Sequence, residues 1–126
     1  MKSQQIVEEF LEAWSSPGNW RIAFGKYFAH ECVYENVGLS RTVGPAEAIA
    51  FIDAFTEKLP FVSMTVEMIG IVASEHTVMT ERIDKFHDNS GKIIFEIAVM
   101  GAFEVSDGRI TAWRDYFDAS ALKSGG

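Results

Sequence analysis

VSMTVEMIGIVASEHTVMTERIDKFHDNSGKIIFEIAVMGAFEVSDGRITAWRDYFD, residues 62–118, is where the chain stops reading as helix and starts reading as sheet. β-Branched and aromatic residues crowd 62–74, 77–86, 92–105 and 109–118, as residues that suit a pleated, half-buried surface do. Between them lie turn clusters: Ala73-Ser74-Glu75-His76, His87-Asp88-Asn89-Ser90-Gly91 and Ser106-Asp107-Gly108. Connections this short join antiparallel neighbours, because a parallel crossover needs about a dozen residues or more. Strands in series, a meander, are therefore predicted.

Upstream of Pro60 the repeat is helical. Ser3 is placed to cap a helix whose apolar side is Ile6, Val7, Phe10, Leu11 and Trp14, and Ser16-Pro17-Gly18 ends it. A shorter helix is predicted over 20–27, gathering Trp20, Phe24, Tyr27 and Phe28 on one side, and a strand over 32–37. Residues 38–44 read as a Gly-containing polar loop before Pro45, which suits a first helical position. Ile49, Ile52, Phe55 and Leu59 then mark a third helix. Together these elements predict an α+β fold, a curved antiparallel or mixed sheet wrapped around N-terminal helices as a cone with an internal pocket. Residues 1–126 read as a single domain, with Lys123, Ser124, Gly125 and Gly126 as a frayed tail.

At 48% hydrophobic and 13% aromatic residues the chain is too apolar for disorder, and its 126 residues suffice for one sizeable core. The net charge of -7, with no Lys/Arg cluster, argues against nucleic acid or an anionic membrane surface as partner. Cys32 has no mate for a disulfide, and the N-terminal segment carries Glu8, Glu9 and Glu12 where a leader or span would be apolar. A cytoplasmic location is expected.

Charge inside an apolar strand pattern needs a reason. Arg82 and Asp84 are two apart and share a strand face, and Asp115 shares its face with Trp113 and Phe117. Two carboxylates crowded in an apolar pocket resist double ionisation, so one can serve as acid and the other as base in opening a strained ether. The fork of Arg82 can donate to both. Tyr34 and Asn36, again two apart, can hold a water between them. Such a site needs no cofactor. In phase with it, Phe86, Ile97, Val99 and Phe117 are the expected pocket wall, while Met64 and Met68 fit wall or core equally. Arg114 and Asp118 fall on the opposite strand face and read as structural. His30, His76 and His87 are scattered over element ends and turns, so no metal site is expected and solvated side chains are. Cys32, without a fixed His, reads as a small buried hydrophobe.

The order Tyr34-x-Asn36, Arg82-x-Asp84 and then Asp115 within Ile110-Thr111-Ala112-Trp113-Arg114-Asp115-Tyr116-Phe117-Asp118 resembles the limonene-1,2-epoxide hydrolase family, part of the nuclear-transport-factor-like superfamily of cone folds. That resemblance implies cofactor-free, one-step addition of water to a small apolar epoxide, terpene-like or cyclic, giving a vicinal diol. It further implies Asp115 as general base, Asp84 as general acid, Arg82 as the link, Tyr34 and Asn36 as holders of the water, and a homodimer. The alternatives are a ketosteroid-isomerase-like enzyme, an epoxide-opening cyclase using a substrate hydroxyl, and a ligand-binding module without catalysis. An Arg clamped between the acids disfavours the isomerase, whose protonated Asp must donate to an oxyanion.

Overall fold

The computed structural model describes residues 2–124. Helices α1 (Ser3–Glu12) and α2 (Trp20–Tyr27), joined through a 3₁₀ turn at Ala13–Ser15, lead into β1 (Phe28–Asn36). After it come β2 (Ser40–Val43), α3 (Gly44–Lys58), β3 (Ser63–Ala73), β4 (Thr77–His87), β5 (Ile93–Ser106), β6 (Arg109–Tyr116) and α4 (Ser120–Ser124). Among the described residues these strands form one sheet in the order β2-β1-β6-β5-β4-β3. The meander β3 to β6 is antiparallel throughout, as the short turns require. β1 breaks the series by lying parallel to β6, so the sheet is mixed.

Register irregularities interrupt the β1–β6, β3–β4, β4–β5 and β5–β6 ladders, and each such irregularity bends a strand. The sheet therefore curves round α1 and α2 as an open cone. Its concave side holds Phe10, Trp14, Phe24, Phe28, Phe103 and Trp113, all close to fully buried. Phe10 stacks on Phe28 at 5.5 Å and meets Trp113 edge-on at 5.1 Å, tying helix to sheet.

Several sequence expectations need correction. Ser3 does not cap α1: Lys2 is the N-cap, and the Ser3 hydroxyl donates to the Ser74 carbonyl at 2.6 Å, fastening the helix start to the end of β3. β1 begins at Phe28, four residues before the predicted start, because its first residues follow directly from α2. Residues 40–43, expected as loop, form β2, turned back on β1 through Gly38 at φ +84°. Its short polar sequence suits an edge strand and gives little strand signal. Ser124 closes α4, so the frayed tail is contradicted as far as that residue; Gly125 and Gly126 lie outside the described residues. His87 is not simply solvated, since its ring contacts Thr65 Oγ1 at 2.7 Å and the Gly91 carbonyl at 3.2 Å.

Candidate active site

On β4 the inward row is Val78, Thr80, Arg82, Asp84 and Phe86, so three polar residues stand where the alternation calls for core. Arg82 is 0% exposed. A guanidinium so placed must have its donors satisfied. Nε donates to Asp84 Oδ1 at 2.8 Å, Nη2 to Asp84 Oδ2 at 3.2 Å and to Asp115 Oδ2 at 2.6 Å, and Nη1 to Thr80 Oγ1 at 3.0 Å. One cation thus holds both carboxylates, the juxtaposition that the strand parities suggested.

Sheet register explains why they meet. Thr80 pairs with Gly101 and Gly101 with Asp115, so between Thr80 and Asp115 β5 places a residue that has no side chain. A Cβ at 101 would lie 2.7 Å from Asp115 Oδ1, 3.0 Å from Thr80 Oγ1 and closer still to Arg82 Nη1. On the other side β1 sets Tyr34 beside Trp113 and Asn36 beside Asp115. Tyr34 and Asn36 are both buried at the pocket, and Asn36 Nδ2 donates to Ser40 Oγ at 3.1 Å.

Burial drives the proton affinity of Asp115 above the usual carboxylate range; Arg82 and the Trp113 N–H pull the other way, and the nearby Asp84 adds to the rise. Burial works against the charge of Arg82, yet Asp115 and Asp84 together outweigh it and hold its proton more tightly than usual. Burial, and then the charge of Asp115, keep the Tyr34 phenol protonated well past its ordinary range. Cys32 is fully buried and its thiol is pushed up to about 12, by burial first and Glu31 second, so it is no thiolate at neutral pH.

These groups open on a cavity of about 420 Å³, within the range of small-ligand sites. The expected wall residues Phe86, Ile97, Val99 and Phe117 all line it, as do Asp84 and Asp115, while Met64 is wall and Met68 packs on the core. Arg82 does not reach the cavity; it stands behind the carboxylates. Sequence reasoning missed the contribution of α3, whose Phe51, Ile52, Phe55 and Lys58 close one side, and of Leu39, Ser40 and Leu122. The helical repeat of α3 was readable, but that the helix packs over β1, with Phe51 against Tyr34, is not written in that repeat. Trp14 also lines the cavity, and its buried Nε1 has no acceptor among the described residues. Arg114 and Asp118 are structural: Arg114 pairs with Glu104 at 2.6 Å, and Asp118 accepts from the Ser120 amide and hydroxyl at the start of α4. His30 and His76 are exposed, and among the described residues no group of three or more His, Cys, Asp or Glu could hold a metal.

Residues 1–125 match the model of the limonene-1,2-epoxide hydrolase catalytic domain. The chain belongs to the limonene-1,2-epoxide hydrolase family. A relative, epoxide hydrolase EphG of Mycobacterium tuberculosis, is 38% identical over 95 residues, which cover 75% of this chain and 60% of that protein. The solved structure of an M. tuberculosis LEH-like epoxide hydrolase superposes with a TM-score of 0.74 at 33% identity, covering 96% of this chain and 81% of the other. An NTF2-like protein of unknown function from Cytophaga hutchinsonii gives 0.73 at 16% identity, over 98% and 96% of the two chains, a likeness of fold alone. Family membership agrees with the cone read from the strand pattern. Among the described residues no helix is long and apolar enough to cross a membrane.

Proposed function

We propose that this family member is a hydrolase that adds water to a small apolar epoxide, terpene-like or cyclic, and releases a vicinal diol. The observation that carries the reading is the buried Arg82 fork holding Asp84 and Asp115 together at the edge of an apolar cavity. Arg82 itself is screened from the cavity, so the group presented to an epoxide oxygen is a carboxyl, not a guanidinium. In the proposed step a water held by Tyr34, Asn36 and Asp115 attacks an epoxide carbon. Asp115 takes a proton from the water, the carbon–oxygen bond breaks, and Asp84 gives its proton to the departing alkoxide. The cycle closes when the proton on Asp115 passes back to Asp84. Each proton transfer of this kind is typically worth about 100-fold to 10,000-fold in rate. The apolar lining keeps bulk water out and strengthens these interactions. The step uses only groups of the chain.

The raised proton affinity of Asp115 makes its carboxylate, once ionised, a stronger base than an exposed one. Incubation with limonene 1,2-oxide or cyclohexene oxide in ¹⁸O-water is expected to give labelled diol, with Asp84→Asn and Asp115→Asn each at least about 100-fold slower. Undiminished diol in both variants overturns the mechanism; a cyclic ether from a hydroxy-epoxide without diol points to a cyclase. The family resemblance also implies a homodimer, which we adopt: the outer sheet face exposes Val72, Met79, Met100 and Tyr116, and sedimentation at twice the chain mass is the check. A cytoplasmic site of action remains part of this proposal.

A further inference from the structure

Two carboxylates share one guanidinium, yet base and acid must differ in which one carries the proton. Each accepts two hydrogen bonds, but from different donors. Both oxygens of Asp84 accept from Arg82 alone, at 2.8 and 3.2 Å. Asp115 accepts from Arg82 at Oδ2, 2.6 Å, and from the Trp113 indole Nε1 at Oδ1, 2.7 Å. That indole is fixed in place. It lies between its cross-strand partners, stacked on Tyr34 at 4.3 Å and 13° and on Phe103 at 5.4 Å and 15°, and it is 2% exposed. The Arg82 guanidinium lies 5.9 Å from its ring.

We infer that Trp113 is a positioning residue: its N–H favours the ionised form of Asp115 that a base requires, against the pull of burial, and fixes which lone pairs that carboxylate turns toward the cavity. This rests on the acid/base reading above. An N–H donor to a carboxylate favours the charged form, and one held rigidly gives up little freedom in doing so. The remaining groups facing Asp115 are Arg82 and Asp84 from β4 and Tyr34 from β1; β5 offers Gly101, without a side chain, and α3 brings Lys58 to the cavity wall. None of these supplies a second neutral donor to Oδ1.

Trp113→Phe keeps an aromatic ring in the stack and deletes the donor. Carboxyl-carbon NMR titration of Asp115 in the wild-type chain and in this variant is expected to move the Asp115 midpoint upward by about one pH unit, the size of one charge-assisted hydrogen bond. The acid limb of kcat/KM on cyclohexene oxide is expected to move with it, so that rate lost at low pH returns at higher pH. A folded variant whose midpoint stays or falls overturns the inference. If Trp113→Phe does not fold, 3-benzothienylalanine placed at 113 keeps the bicyclic shape with sulfur in place of N–H, and the same midpoint decides. Loss of the epoxide-hydrolase reading would appear separately, as diol formation indifferent to Asp84→Asn and Asp115→Asn.

Discussion

Arg82 is the residue on which both carboxylates depend, and its removal leaves two buried acids facing each other. Arg82→Met is expected to cost about 3–5 kcal/mol at neutral pH, because a broken buried pair strands uncompensated charge, and urea denaturation reads that loss directly. Asp115 makes a subtler contribution. Its proton affinity is raised in the folded chain, so the folded state binds a proton that the unfolded state has released. The stability linked to that proton is present in full below the unfolded value and is lost as pH rises through the folded one. Asp115→Asn cannot titrate, so its stability relative to wild type is expected to improve as pH rises from 4 to 7; a difference that is flat or reversed across urea melts at several pH values contradicts this. At the residue scale much of the site could be read from the chain. Arg82 and Asp84, like Tyr34 and Asn36, are two apart in extended segments, and strand parity alone puts each pair on one face. Thr80 and Trp113 were on the page too, but nothing local says that a hydroxyl will accept from Arg82 or that an indole will donate to Asp115.

Among the elements, β5 is the one whose sequence conceals its importance. Gly101 in mid-strand looks like a weak point, since glycine packs nothing and loses the most freedom on ordering. Its neighbours are Thr80 on one side and Asp115 on the other, and the space above it is taken by the Arg82 fork. Gly101→Ala, a change that should favour an ordinary strand, is therefore expected to destabilise by about 1–3 kcal/mol through overpacking and to abolish diol formation, as checked by urea denaturation and the cyclohexene oxide assay. The reason for that glycine was illegible because it lies in the register of strands that are neighbours in space. β2 escaped detection for a different cause: four residues at a sheet edge, three of them polar, carry almost no period-two signal. The meander, by contrast, was legible because short turns leave only one way to connect its strands.

Considered whole, the molecule is an aromatic cluster beneath a sheet with a reactive pocket at one end. Phe10 is 0% exposed and touches rings from α2, β1, β5 and β6. Phe10→Ala is expected to cost about 3–5 kcal/mol, read by chemical denaturation, and to loosen the helix that supports Trp113 from beneath. The cone itself followed from pattern, helices first and strands after, but the joining of its two parts did not: the pairing of β1 with β6 sets Asn36 against Asp115, 79 positions later, and composition carries no trace of it. That pairing has a consequence for synthesis. Asn36 leaves the ribosome early and its register partner Asp115 late. While residues 85–114 are being added, the first acid and its cation exist on β4 without their counterpart, and Tyr34 and Asn36 wait on a strand with an unfilled flank. Reactivity is thus acquired in one event, when β6 slides into the gap between β1 and β5, and a nascent chain short of that strand is expected to have no working pocket at all.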